Sequence, residues 1–171
     1  IIFAFGAHLI KNGLSKVFIE IMKQGYVQHI LGNEAVVIHD WELAYHGSTE
    51  ENVEEYMAQG QFGLWKETGR YLNKAINFGF RQGLGYGESV GKMIWEEKLD
   101  GVGIPHPNRG ASVLGNAYSL RIPASISVSI GENIHHEHPE CDGAALGATS
   151  YKDFLRFAKS LENFCYSDNG Q

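Results

Sequence analysis

The order of strand-like and helix-like patterns at the start of the chain constrains its fold more than any other feature. Ile1 to Phe5 is a short apolar run that is typical of a buried strand, and Gly6 follows it. Apolar residues then recur at helical spacing from Leu9 to Met22, and after Gly25 a second strand-like run extends from Tyr26 to Leu31. Because strands joined through a helix are normally parallel, we expect an α/β fold: a Rossmann-like, mostly parallel sheet flanked by helices, in one domain over residues 1–171.

The rest of the chain continues this alternation. A helix is predicted from about Val37 to Tyr45, and the capping-box spacing of Ser48 and Glu51 predicts a second helix from Thr49 to about Gln59. The other predicted elements, in chain order, are a helix from Phe62 to about Phe80, a loop from Asp100 to Gly110, a helix from Ala111 to Leu120, a strand from Ser125 to Ile130, a polar loop from Gly131 to Gly143 and a helix from Thr149 to Leu161. Ligands of such folds bind outside the carboxyl ends of the strands, so we expect a site near residues 6–11, 32–40 and 131–143.

The composition limits the classes of partner. A formal net charge of -6 and a pI near 5.7 disfavour nucleic acid and membrane surfaces and favour a cationic ligand. Cys141 and Cys165 lack a paired spacing, which indicates a reducing compartment, most simply the cytoplasm. No apolar run approaches the roughly 20 residues that cross a bilayer. Ile1 opens inside a strand-like run, and the residues after Leu161 complete no element, so we expect the chain to be incomplete at both ends.

The densest group of chemically active side chains lies in the 131–143 loop. Its imidazoles, carboxylates and thiol could ligate a metal ion, for which the ligands would be His135, His136, His138 and Cys141, with Glu137 beside them. No spacing in the loop matches a known zinc motif. The same groups could instead bind and deprotonate an amine, because carboxylates complement an ammonium and imidazole titrates near neutral pH. A solvated polar loop with neither role is the third interpretation.

Two smaller groups lie at the other predicted strand ends. The turn from Gly6 to Gly13 offers backbone N-H groups to a phosphate, although any strand-to-helix turn needs glycine and the full dinucleotide-binding spacing is absent. The segment from Ile38 to Glu42 places two carboxylates and an imidazole near a helix start, and interaction of Asp40 with the helix dipole explains part of this group. Trp41 fits both a core position and a stacking surface.

These three groups, in this order, resemble the deoxyhypusine synthase family. The run from Phe5 to Gly13 is similar to the family's Ser-Asn-Leu-Ile-Ser-Ser-Gly segment, and Gly32 to Asp40 is similar to its Thr-Thr-Ala-Gly-Gly-Val-Glu-Glu-Asp stretch, with Ala35 and Val36 at the glycine pair. Ala111 to Pro123 and Ile130 to Ile134 follow the family's later segments. The patterns His39 to Glu42, Gly85 to Glu88 and His136 to Ala145 resemble a divergent, mostly bacterial branch.

The resemblance implies an NAD-dependent transfer of an aminobutyl group from spermidine to an acceptor amine, either a protein lysine or a polyamine, by a homotetramer or other homo-oligomer. It implies NAD contacts at Ala7, His8, Leu9, Ile10, Lys11, Asn33, Glu34, Ala35 and Gly131. It implies polyamine contacts at His39, Asp40, Glu132, His136 and His138. The family's catalytic lysine lies in a later segment, and none of Lys92, Lys152 or Lys159 matches it. A metal-dependent enzyme using the 131–143 loop and a non-catalytic nucleotide-binding relative are the alternative interpretations.

Overall fold

A computed structural model of the protein describes residues 1–49 and 51–166. In chain order the elements are β1 (Ile2–Ala4), α1 (His8–Lys11), α2 (Ser15–Lys23), β2 (His29–Asn33), α3 (Glu34–His46), α4 (Val53–Ala58), α5 (Lys66–Gln82), α6 (Tyr86–Glu96), β3 (Lys98–Leu99), β4 (Val102–Gly103), α7 (Val113–Ser119), β5 (Ala124–Ser127) and α8 (Gly143–Tyr166). Short 3-10 turns lie at Arg109–Ala111 and Ile134–Glu137.

The sheet of β1, β2 and β5 is parallel throughout, with β2 in the middle. Ala4 pairs with Leu31, and Gly32 pairs with Ile126. The prediction of an α/β fold with parallel strands is confirmed for these elements. The parallel arrangement follows from the connections, because each passage from one strand to the next runs through helices.

The core lies between the sheet and the helices packed on it. Ile30 and Ile126 of the sheet are buried, as are Trp41 of α3, Leu72 of α5 and Met93 of α6. The helix predicted from Phe62 begins at Lys66, and its residues Leu72, Ala75 and Ile76 belong to the core. α6 approaches its neighbours closely, because a Cβ at Gly87 would collide with the backbone carbonyl of Ala124. Burial of these side chains is the main stabilising contribution in a domain of this size.

Three predicted boundaries are wrong for identifiable reasons. The helix expected from Thr49 begins at Val53, because the Asn52 side chain accepts a hydrogen bond from the Glu55 N-H and caps the helix there. The continuous helix expected up to Met22 is split into α1 and α2, with Gly13 between them at a φ of +74°. The last helix begins at Gly143 instead of Thr149 because the Asp142 carboxylate accepts the N-H groups of residues 144 and 145.

The other boundaries shift by a few residues. β2 begins at His29, β5 ends at Ser127, α3 begins at Glu34, and the loop expected over residues 100–110 contains β4 of a short antiparallel hairpin.

Within the described residues, no helix is both long enough and apolar enough to cross a bilayer.

Candidate functional site

The carboxyl edge of the sheet brings together residues from three separate segments. β1 ends at Ala4 and leads into α1, β2 ends at Asn33 and leads directly into α3, and β5 ends at Ser127 and leads into the loop that contains Ile134–Glu137. Because the strands are parallel, all three segments leave the sheet at the same edge. The predicted position of the 131–143 loop, after the carboxyl end of a strand, is correct.

Glu34 is the centre of a buried polar cluster at this edge, which we call the Glu34 cluster and which comprises Glu34, Asn133, His135, His136 and Tyr86. The Glu34 carboxylate is fully buried, and its Oε1 lies 2.9 Å from His136 Nε2 and 3.1 Å from His135 Nε2. Oε2 accepts a 2.9 Å hydrogen bond from the Asn133 amide. Within the described part of the chain, the ion-pair partners of Glu34 are these two imidazoles, with no Lys or Arg among them. A buried carboxylate without a permanent counter-ion favours a proton or a cationic group beside it.

The hydrogen bonds of His136 define its tautomer. Its Nδ1 accepts the backbone N-H of Gly131 at 3.0 Å and that of Asn133 at 3.4 Å. A ring nitrogen that accepts N-H groups carries no proton, so the proton of the neutral ring is on Nε2. His136 therefore donates from Nε2 to the Glu34 carboxylate.

His135 lies between a hydroxyl and a carboxylate. Its Nε2 is 3.1 Å from the Tyr86 hydroxyl as well as 3.1 Å from Glu34 Oε1, and both His135 and Tyr86 are fully buried. Burial, reinforced by the nearby Glu34 charge, raises the pKa of Tyr86 well above its usual value, so the hydroxyl stays protonated. Among the described residues His135 Nδ1 has no hydrogen-bond partner. A single ring nitrogen is thus in contact with both a proton donor and a proton acceptor.

The loop is built to hold these side chains. Gly131 takes a φ of +94°, which side chains rarely allow, and Asn133 and His136 form a reciprocal capping box around the 3-10 turn. α5 also holds the loop in place, because the Asn73 amide donates a 2.7 Å hydrogen bond to the His135 carbonyl. Ile134 packs against Gly63, where a Cβ would lie 2.7 Å from Ile134 Cγ2.

The residues predicted to contact NAD are spread over this edge with different exposures. His8, Lys11, Asn33 and Gly131 are exposed, Ala7, Leu9 and Ala35 are half-buried, and Ile10 and Glu34 are buried. Ile10 belongs to the hydrophobic core, and Glu34 belongs to the cluster. The Asn33 side chain caps α3 by accepting the Val36 N-H at 3.2 Å.

The residues predicted to contact a polyamine do not lie together. His136 belongs to the Glu34 cluster, and Glu132 is exposed beside it in the chain. His138 packs over Gly69 and accepts the Glu140 N-H on its Nδ1. Asp40 is fully buried, and both of its oxygens accept hydrogen bonds from Ser112 to Leu114 at the start of α7. The predicted ligand role of Asp40 has no support in this geometry, because its oxygens are used to hold that helix.

His39 lies in a network of its own. Its Nδ1 is 2.6 Å from the Thr49 hydroxyl, which donates to Glu42 at 2.6 Å, and Glu42 also accepts from Thr68 at 2.9 Å. Burial raises the pKa of Glu42 and lowers the pKa of His39, so both groups are shifted toward their neutral forms. Nearby Lys11 and His8 also lower the pKa of His39, which places the end of α1 close to this network.

Glu34, His135 and His136 also form a possible metal site, since their ligand atoms all lie within 4.8 Å of one another. Two imidazoles and a carboxylate are a known set of ligands for transition metals. A metal on His136 Nε2 would, however, move the ring proton to Nδ1, where two N-H groups already point. Metal-bound histidines normally donate the other N-H to an acceptor. Among the described residues His138 is outside this group, and burial raises the pKa of the Cys141 thiol, which disfavours a thiolate ligand.

Sequence reasoning missed Tyr86 and gave Glu34 a different role. Tyr86 stands among glycines, between Gly85 and Gly87, and no local pattern links it to His135. The Gly85 to Glu88 pattern noted in the sequence was the one signal that pointed to this segment.

The fold and the site together describe an α/β protein with a buried acid and imidazole cluster at the carboxyl edge of a parallel sheet. Comparison with known protein families, with curated proteins and with solved structures found no match in any of the three.

Proposed function

We propose that this chain forms the nucleotide- and amine-binding part of an NAD-dependent transferase of deoxyhypusine synthase type, with a Rossmann-like architecture. The Glu34 cluster would receive an amine of spermidine or a related polyamine. The observation that carries the proposal is the fully buried Glu34 carboxylate, held by two imidazoles at the edge where such sheets bind ligands. The transfer to an acceptor amine, the acceptor itself and a homo-oligomeric assembly are parts of the same proposal.

The cluster suits an amine for electrostatic reasons. An ammonium group would supply the positive charge that Glu34 does not receive from Lys or Arg within the described residues. The net charge of -6 favours the approach of a polycation. His136 is the cluster's partly accessible imidazole, with 7% of its side chain exposed, so a ligand would approach from its side.

The hydrogen bonds of the cluster would support proton transfer. An amine must lose a proton before its nitrogen or the adjacent carbon can react, and a neutral imidazole is suited to accept it near neutral pH. The proton would reach His135 Nε2 through the Glu34 carboxylate, because His135 is fully buried and its Nε2 contacts Glu34 and the Tyr86 hydroxyl. His136 and Asn133 would keep the Glu34 carboxylate oriented throughout.

NAD would bind along the exposed residues at the family's NAD positions. The Val36 side chain, which stands in the family's glycine pair, is fully buried against Gly32 and does not cover the surface. The exposed residues His8, Lys11 and Asn33 would hold the dinucleotide. When bound, NAD supplies a hydride acceptor.

The test is calorimetry with spermidine and with NAD, together with absorbance detection of NADH formation when both are present. NADH formation reports the oxidation of spermidine, which does not require the family's lysine. We expect Glu34→Gln to weaken spermidine binding by about tenfold or more, equivalent to about 1.4 kcal/mol. Asp153→Asn is the matched control, because it also removes one buried carboxylate but lies outside the cluster. The absence of both spermidine binding and NADH formation in the wild-type protein would rule out the proposal.

A metal-dependent enzyme is the second candidate, supported by the arrangement of Glu34, His135 and His136. It predicts about one transition-metal ion per chain after dialysis, and loss of that ion in His135→Ala. Stoichiometric metal in the wild-type protein would favour this candidate and would imply that the Gly131 and Asn133 hydrogen bonds to His136 are rearranged.

A further inference from the structure

A cavity lies at the other end of β5. It has a volume of about 530 Å³ and is lined by α6, by α7 and the residues after it, by the start of β5, and by α8. Its walls include Trp95, Leu114, Tyr118, Ile122 and Arg156. Pro123 and Ala124 line it at the amino end of β5, whereas the Glu34 cluster follows the carboxyl end of that strand. The volume is within the range of small-molecule sites.

Arg121, which also lines this cavity, occupies a position where glycine is expected. α7 ends in a Schellman motif, in which the Arg121 N-H donates to the Tyr118 carbonyl and the Ile122 N-H donates to the Ala117 carbonyl. The residue at this position takes the left-handed conformation, and Arg121 has a φ of +58°. A non-glycine residue is strained there. The presence of arginine instead of glycine indicates that the side chain has a use that offsets the strain.

The Arg121 guanidinium is available to a ligand. The other charged groups of the cavity wall are paired, since Arg156 lies 2.6 Å from Glu88. The Tyr118 hydroxyl donates to Glu96 at 2.6 Å. Within residues 1–49 and 51–166, the Arg121 guanidinium makes neither a hydrogen bond nor an ion pair, and the residue is exposed. A guanidinium with free N-H groups binds carboxylate and phosphate in a bidentate manner.

The other lining residues indicate which chemical groups of a ligand would fit the cavity. Trp95 offers an aromatic surface, and Leu114, Ile122, Pro123 and Ala124 are apolar. A ligand pocket of this kind combines an apolar lining with few polar groups that fix the orientation. We infer that this cavity binds a small molecule that carries an oxyanion, a carboxylate or a phosphate, on a flat apolar body, with Arg121 holding the oxyanion.

The test uses benzoate and phenyl phosphate as probes in calorimetry, with benzamide as the uncharged counterpart of benzoate. Arg121→Gly removes the guanidinium and also relieves the left-handed strain, so the variant should be at least as stable as the wild type while losing affinity about tenfold or more. Asp100→Gly is the matched control, because Asp100 is likewise a non-glycine residue with a positive φ, of +48°, but does not line this cavity. It should bind the probes as the wild type does.

The comparison between the two anions separates the sources of the ligand. Tighter binding of phenyl phosphate indicates a phosphorylated compound, and tighter binding of benzoate indicates a carboxylic acid. Three results would overturn the inference: no binding of either anion to the wild type, equal binding by Arg121→Gly, or equal binding of benzamide and benzoate. A lower melting temperature of Arg121→Gly would also overturn it, because the guanidinium would then serve the fold.

Discussion

Glu34 and Asp40 are two fully buried carboxylates on the same helix, and they differ in the kind of partner that surrounds them. Asp40 accepts hydrogen bonds from the Val113 N-H at 2.7 Å, the Leu114 N-H at 2.9 Å and the Ser112 hydroxyl at 2.6 Å. These donors belong to the first turn of α7 and its cap, and backbone donors cannot give up their protons. Glu34 is instead surrounded by two imidazoles and an amide, of which the imidazoles can gain or lose a proton.

The difference shows that burial alone does not distinguish a carboxylate that caps a helix from one that contacts imidazoles. Burial raises the pKa of Asp40 to about 6, against the opposing effect of its hydrogen bonds. A perturbed pKa would have selected Asp40 as a candidate for function, yet its partners are those of a helix cap. The partners of Glu34 are imidazoles, a group that can donate and accept protons.

The largest expected effect is the loss of stability in Asp40→Asn. An amide NH2 would replace an oxygen that now accepts N-H or O-H groups, so donors would face one another in the core. We expect a loss of about 4 kcal/mol in the free energy of unfolding, measured by urea denaturation. Glu34→Gln should cost less than half as much, because the glutamine oxygen still accepts the His136 proton and the donor that would face the new NH2 group, the Asn133 amide, belongs to a side chain that can rotate. Equal losses in the two variants would remove the distinction between the two carboxylates.

The second expected effect is a pH dependence of the free energy of unfolding that arises from Asp153. Asp153 is a third buried carboxylate and accepts hydrogen bonds from the N-H groups of Gly87 and Ile126. Burial raises its pKa from 3.8 to about 7 in the folded protein. A raised pKa means that the folded state retains a proton that the unfolded state has released, so this contribution to stability is lost as the pH rises from about 4 to about 7. Asp153→Asn mimics the protonated form and should gain about 3 kcal/mol relative to the wild type over that interval.

The measurement is the difference in unfolding free energy between Asp153→Asn and the wild type at several pH values. The variant must be compared with the wild type because burial also lowers the pKa of His29 and His106 to about 4. These two histidines make both proteins gain stability as the pH rises through the same interval. These two contributions are common to both proteins and cancel. A difference that does not change with pH would show that Asp153 is ionised over the whole interval.

A smaller effect is expected for Tyr86→Phe. The variant removes the hydroxyl that contacts His135 Nε2 but keeps the buried ring. We expect a loss of about 1 kcal/mol in the free energy of unfolding. If Tyr86 also takes part in proton transfer, NADH formation should fall by more than spermidine binding does. An equal loss of NADH formation and of spermidine binding would show that Tyr86 takes no part in proton transfer.

The smallest effect concerns the position of one proton. Nitrogen NMR of His136 should show the tautomer with the proton on Nε2, and Glu34→Gln should preserve it because Gly131 and Asn133 still donate to Nδ1. The opposite tautomer would make His136 Nε2 available to a metal and would favour the metal-dependent candidate.

Much of the architecture could be predicted because it depends on local patterns. The alternation of apolar runs and glycine turns indicated parallel strands, and the 131–143 loop was placed correctly after a strand. The error at Thr49 had a local cause, since two capping signals lie four positions apart and Asn52 was used instead of Ser48.

The sequence by itself determined the succession of strands and helices, the acidic charge and the concentration of imidazoles in one loop. Only the tertiary structure decided that Glu34, 102 residues from His136 in the chain, is the carboxylate that meets those imidazoles, and that Asp40 is used to cap α7. The physical reason is that hydrophobic and polar patterns fix each element locally, whereas the partners of a buried polar group are set by the packing of elements distant in sequence.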